Sequence, residues 1–337
     1  MKTFLFSILS IFLLVCCQDE TRYHLDKDIL ASLGAKHKIE FQKLGAFYED
    51  QAKVDSTNVE ALVGIAEAEI LIYAFGYVPN SEVMLKAELY FENAYALDSL
   101  NSNVQKLKGI LHFIKKEWNE SEIAFKKSIQ IYPENLNARH WYSLYLIAMK
   151  RVDESMEQSD IIFDLDSNEQ FLLGRGSLFY FQYRFEEMKP LMQKTIKNDP
   201  EAPWAYDWLG MAYNGLKEHD DAIKTYIKAF NLSDGTVEVG GGLGHALAEA
   251  GEITLAKEMT TYYDAVSKEK YLPAVQRAFI HIGLKEYDKA LDLLEKAYQE
   301  NSWFLLFMQT EHWYDPIKED PRFKKIIIKM KYPKSNF

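Results

Sequence analysis

The run Gly240-Gly241-Gly242-Leu243-Gly244-His245 is the one stretch of this 337-residue chain that mimics a phosphate-cradling loop, in which glycine backbone N–H groups close around an anion. It lacks the Gly-Lys-Ser/Thr ending of a phosphate loop and no strand-like run precedes it, so it reads as a loose start to a helix. Eight histidines could bind metal or carry protons: His24, His37, His112, His140, His219, His245, His281 and His312. None stands in a His-Glu-x-x-His pattern, and no paired Cys/His spacing suits zinc. His112 and His281 each follow a small residue (Gly109, Ala278) by three positions, a register in which a ring packs half-buried. No Gly-x-Ser-x-Gly elbow is present, and no catalytic carboxylate pair stands out among 50 acidic residues. The expectation is a non-catalytic chain with no metal and no cofactor.

The formal charge of −11 argues against nucleic-acid binding, which depends on phosphate neutralisation by Lys and Arg. Hydrophobic residues at 48% are ample for a continuous core. The two cysteines, Cys16 and Cys17, stand directly behind a basic start (Met1-Lys2) and the apolar stretch from Phe4 to Val15. That stretch is too short to span a bilayer, which takes roughly 20 residues, and it fits the core of an export signal. Leu14-Val15-Cys16-Cys17 resembles the lipobox of bacterial lipoproteins, departing from it in having Cys rather than Gly, Ala or Ser before the cleavage point. The resemblance implies a lipid on Cys17 and attachment to a bacterial envelope membrane, stable once two or more acyl chains insert. An ordinary secretory signal with two incidental cysteines is the alternative. Gln18-Asp19-Glu20 resembles the acidic stretch that sends some lipoproteins to the outer surface, so the expected place is the outer membrane, on its periplasmic or surface face.

Internal periodicity supplies the elements. Small residues that would open a close helix contact recur at Ala66, Gly109, Ser143, Gly176, Gly210, Gly244 and Ala278. A second ladder runs Ala87, Ser121, Ser155, Met188, Ala222, Ala256 and Ala290, and its last six members each lie 12 residues beyond their partners. Asp98-Ser99, Tyr132-Pro133, Asp166-Ser167, Asp199-Pro200 and Ser233-Asp234 would end successive second helices, while Pro203 and Pro273 would open first helices. In the first unit the two ladders are 21 residues apart, so about nine residues around Tyr73–Pro79 should bulge between its helices. Met188 replaces the usual small residue and should push its helices apart, and Pro190 should kink its helix unless it falls in the first turn.

This register resembles the tetratricopeptide repeat (TPR) family, best in Trp208-Leu209-Gly210-Met211-Ala212-Tyr213 with Ala222, Tyr226 and Ala229, and in Gly109 with Phe125, Ser128 and Pro133. The resemblance implies an all-α fold: a right-handed TPR superhelical solenoid of antiparallel helix hairpins, each stable only when stacked on the next. Tyr271-Leu272-Pro273, Asp288-Lys289-Ala290-Leu291, Trp303, Asp315-Pro316-Ile317 and Asp320-Pro321-Arg322-Phe323 are similar to the end of TPR modules attached to bacterial winged-helix regulators, adenylate cyclases and Ser/Thr kinases. No output domain of those kinds fits here, so the resemblance implies binding without the signalling role. The expected organisation is a signal peptide over 1–16, a linker over 17–24, a degenerate hairpin cap over 25–57, seven repeats over 58–302 and a capping segment over 303–337. In that last segment Phe323 and Ile326–Ile328 would cap the final hairpin, with lysines facing water.

The first helices of such an array line its concave groove. One row there holds Asn103, Asn137, Gln170 and Trp204, a second holds His140 and Asp207, and Tyr180, Asn214 and His245 lie nearby. Carboxamides and flat rings suit a peptide backbone or a sugar, though an ordinary polar inner face would look the same. The expected partner is a protein or peptide in the groove of an envelope scaffold; a solute- or glycan-binding lipoprotein serving nutrient uptake is the alternative.

Overall fold

The computed structural model describes residues 23, 25–165 and 169–333. These form helices and turns, with no strand among the described residues. Two helices come first, α1 (Lys27–Ser32) and α2 (Ala35–Val54). Hairpins follow: α3 (Val59–Ala74) with α4 (Asn80–Leu97), α5 (Ser102–Ile114) with α6 (Trp118–Ile131), α7 (Leu136–Ala148) with α8 (Val152–Leu165), and α9 (Glu169–Phe181) with α10 (Phe185–Asn198). Then come α11 (Pro203–Gly215) with α12 (His219–Leu232), α13 (Val237–Glu249) with α14 (Ile253–Val266), and α15 (Ala274–Gly283) with α16 (Tyr287–Gln299). Two 3-10 turns, Trp303–Phe307 and His312–Tyr314, lead to α17 (Pro321–Met330).

Local chemistry sets the ends of each hairpin. Asn58, Asn101 and Asn135 cap first helices, their side-chain oxygens accepting from backbone N–H groups that the helix leaves unpaired. Between the two helices the chain passes once through the left-handed region, at Lys116, Lys150, Tyr183, Lys217, Gly251 and Lys285. The next N–H then reaches back to the first helix, as from Glu117 to the His112 carbonyl at 2.9 Å and from Glu286 to that of His281 at 2.9 Å. The His112 and His281 rings brace the same turn, with Nδ1 2.5 Å and 2.8 Å from the carboxylates of Glu117 and Glu286. Across each hairpin the small residues let backbones meet. A Cβ on Gly109 would lie 2.7 Å from the Phe125 ring, and the hydroxyls of Ser121 and Ser155 donate to the carbonyls of Gly109 and Ser143 at 2.9 and 2.8 Å.

Two expectations are corrected. The first unit does not bulge: the loop is only residues 75–79, and the extra residues lengthen α3 to 16 and α4 to 18 residues, against 13 and 14 in the next pair. Tyr73, Ala74, Val83 and Met84 are apolar and buried, so extending the helices buries them while keeping their backbone bonded. Pro190 lies past the first turn of α10, inside the helix and on its exposed face, where water can serve the carbonyl it leaves unpaired. Gly240–Gly244 is not a loose start but the interior of α13, which begins at Val237. A Cβ on Gly241, Gly242 or Gly244 would meet Gln276 at 2.6 Å, Tyr226 at 2.8 Å or Ile280 at 2.7 Å, so the glycines bring α15 and α12 against the helix backbone. Gly283 completes this contact, since its Cβ would lie 2.8 Å from the His245 carbonyl. That neighbour is backbone and cannot rotate away. Gly283→Ala is expected to lower the unfolding free energy by about 1–3 kcal/mol, read from urea denaturation.

The hairpins wind until the ends meet. One core holds Leu62, Ile70 and Tyr73 of the first hairpin together with Val275, Phe279 and Leu294 of the last. The Trp118 indole donates to the Met330 carbonyl at 3.1 Å and stacks on Tyr332, tying α6 to α17. Phe323 and Ile326 are buried in this seam, whereas Ile328 is exposed. At the other end α1 crosses to α12 and α13: Tyr23 donates to Asp220 at 2.9 Å and the Gly34 N–H to the Asp234 carbonyl at 2.6 Å. The solenoid is a closed ring.

Candidate functional site

The inside of the ring is built by the first helices, each contributing four rows at six and three residues before its ladder residue and one and four after it. The two rows beyond the ladder residues are sealed by the chain itself. Trp303 stands edge-on to Tyr73, Phe113 and Trp141, at centroid distances of 6.5, 5.6 and 5.7 Å, and Phe307 stacks on Phe181. Tyr180 donates to the Glu311 carboxylate at 2.7 Å, and burial beside that charge pushes its phenol far up. Glu311 is held below the usual carboxylate range against its own burial, by His312 and by the bonds from Tyr180 and the Trp313 N–H. His245 stacks on Trp313 at 4.6 Å with 19° between planes. Its Nδ1 sits 2.9 Å from the Phe279 carbonyl, which fixes the proton there, and burial lowers its pKa. Asn214 donates to Glu249 at 3.1 Å, while its Oδ1 has no hydrogen-bond partner. Tyr180 and His245 therefore hold the chain's own C-terminal turns, while Asn214 is bonded to Glu249 of the neighbouring α13.

The two rows nearer the helix starts form a mouth. Asn137 is exposed, and Asn103 is half-buried, donating to Glu60 at 2.9 Å and accepting from Asn135 at 2.9 Å. Trp204 is half-buried with its ring 4.8 Å from Phe75, which the 75–79 loop brings across the ring. His140 lies a row deeper against Gly174, and burial pushes its pKa down to about 4, keeping it neutral. Asp207, one turn below Trp204, is only 3% exposed; its Oδ1 has no partner and burial pushes its pKa up to about 7. The side chain of Gln170 and all of Cys17 lie outside the described residues.

The mouth holds charged groups that the reading of carboxamides and rings missed. Glu238 stands 34 residues after Trp204, on the same row, and keeps some accessible surface. Its Oε2 has no partner, and burial, then Asp207, raises its pKa well above the usual range. Lys106, on the row of His140 and Asp207, is buried and paired with Glu67 at 2.7 Å. The 34-residue step alone would have placed both. Among the described residues no group of three or more His, Cys, Asp or Glu could hold a metal ion.

Among the described residues, an all-helical array of such hairpins, with small residues at the crossings and a concave lining from the first helices, is a TPR solenoid. No protein-family model matches the chain. It is 23% identical over 230 residues to a lipoprotein NlpI homolog from Haemophilus influenzae, covering 66% of this chain and 67% of that protein. Among solved structures it resembles the APC/C hetero-tetramer Cut9-Hcn1 at a TM-score of 0.62 and 13% identity, over 87% of this chain; it spans about half (53%) of that one. A tetratricopeptide repeat protein from Parabacteroides merdae matches at a TM-score of 0.52 and 11% identity, covering 81% of this chain and 98% of that one.

Proposed function

We propose that this solenoid is a non-catalytic, lipid-anchored scaffold of a bacterial envelope, held at the outer membrane through Cys17 and docking a partner protein at the mouth of its ring. The observation that carries the reading is the division of the inner face. Its deeper rows are sealed by Trp303–Tyr314, while the mouth leaves Asn137 exposed and Trp204 and His140 partly so. A flat ring beside carboxamides can grip an extended backbone, through apolar contact and hydrogen bonds. Similarity to a protein named as a lipoprotein supports the anchor, as does the Cys16-Cys17 junction. The sealing also shortens the groove, and this favours a solute or glycan as the second reading.

Crosslinking in intact envelopes tests this, with mass spectrometry of the wild type beside the Trp204→Ala/Asn137→Ala double variant. One or two proteins captured by the wild type and lost in the variant are expected, with helical content unchanged. Capture that is equal in both would remove the mouth as the docking surface, and no specific protein in either would transfer the weight to a small ligand.

A further inference from the structure

The mouth is rich in acceptors that nothing in the ring satisfies. Asp207 Oδ1, Glu238 Oε2 and, deeper, Asn214 Oδ1 have no hydrogen-bond partner, and all three atoms are buried. None of these atoms can donate while the carboxylates are ionised, so a group that completes the set must bring N–H or O–H donors. Neither Asp207 nor Glu238 forms an ion pair among the described residues. The one buried cation on these rows among the described residues, Lys106, is already held by Glu67, and His140 is neutral. The Tyr226 hydroxyl, fully buried beside Gly242, also lacks a partner. On the solvent side Trp204 and Phe75 make an aromatic wall one helical turn above Asp207.

We propose that the mouth of the ring is a site for an alkylammonium group, ion-paired by Asp207 and Glu238 and flanked by the Trp204 and Phe75 rings. The chemistry fits on three counts. An ammonium supplies three donors and no acceptor. A cation over an aromatic face gains further when it is desolvated. An anion gains nothing here, because the only charge the two carboxyls can take is negative and Lys106 is already paired with Glu67. Burial keeps both carboxyls protonated further up the pH scale than usual, so entry of the cation at neutral pH should release a proton to the buffer. The inference rests on the mouth being the docking surface and names the chemistry it selects. The ammonium could be a lysine side chain of the docked protein or a free diamine.

Titration calorimetry on the full chain at pH 7 and low salt separates these. The probes are cadaverine and acetyl-Gly-Lys-Gly-amide, with the Nε-acetylated peptide as control. At least one ammonium probe is expected to bind with proton release, read as a dependence of the heat on buffer ionisation, and the acetylated peptide should not bind. Asp207→Asn and Glu238→Gln should each weaken binding by about tenfold or more. Peptide without cadaverine identifies a lysine of the partner, and cadaverine without peptide identifies a free diamine; either supports the site. Binding of neither probe to the wild type, or equal binding to wild type and to both folded variants, overturns it. Loss of ammonium binding with partner capture intact would leave the docking reading standing, and the reverse would leave the ammonium site alone.

Discussion

Trp303→Ala is expected to lower the free energy of unfolding by about 3–5 kcal/mol, the range for deleting a buried aromatic. Trp303 is nearly buried and makes edge-to-face contacts with rings from three successive first helices, Tyr73, Phe113 and Trp141, and with Phe307. The surrounding side chains sit on rigid helices, so the space should collapse little. The loss should spread as well, because Tyr73 donates to the Asn301 carbonyl and Tyr332 to those of Leu305 and Leu306. Urea denaturation followed by far-ultraviolet circular dichroism reads the change. A loss under about 0.5 kcal/mol, the size of a surface substitution, would mean that the C-terminal turns rest on the ring instead of filling it.

Asp207→Asn should stabilise the protein at alkaline pH and change the slope of stability with pH. The carboxyl titrates near its model value of 3.8 when unfolded and at about 7 when folded. Between those values the folded state holds the proton and the unfolded state has lost it, so stability falls as pH rises from about 4 to 7 and stays lost above. A shift of that size corresponds to a cost on the order of 4 kcal/mol at pH 8, which the neutral amide should avoid. His140 acts in the opposite sense. Its pKa is about 4 folded against 6.5 unfolded, so the unfolded state takes up a proton first and stability falls as pH drops from 6.5 to 4. His245, also lowered by burial, adds to the His140 trend, Glu238 to that of Asp207, and Glu311, held low, opposes Asp207. In the wild type these slopes partly cancel; in the variant the histidine slope should emerge between pH 4 and 6.5. Melting temperatures at pH 5 and 8 decide it. A variant that tracks the wild type at both would show that Asp207 is solvated and not desolvated inside the ring.

The two ladders of small residues marked the helix crossings because that constraint is local: Gly109 and Phe125, or Gly210 and Tyr226, are 16 residues apart and must touch. The left-handed turns were silent, since Lys116, Lys150, Lys217 and Lys285 occupy positions where glycine would have announced them. The closure of the ring was silent for another reason. Trp118 with Met330, and Tyr23 with Asp220, join residues about 200 apart, and neither periodicity nor capping carries such contacts. The site shows the same split. The 34-residue step placed His140, Trp204, Asp207 and His245 on the inner face. That His245 faces Trp313, while Asp207 Oδ1 is left without a hydrogen-bond partner, depends on where the C-terminal turns come to rest.

Closing the ring alters how the protein should come apart. An open stack of repeats can fray from either end, since each repeat answers only to its neighbours. Here the first and last hairpins share one core, and the terminal helices are bonded to hairpins far away in the chain. Opening one end therefore strips contacts from the other, and the gradual unzipping of a linear array gives way to a single cooperative transition. Backbone amides of α1 and α17 should then exchange with solvent at rates close to those of the central helices.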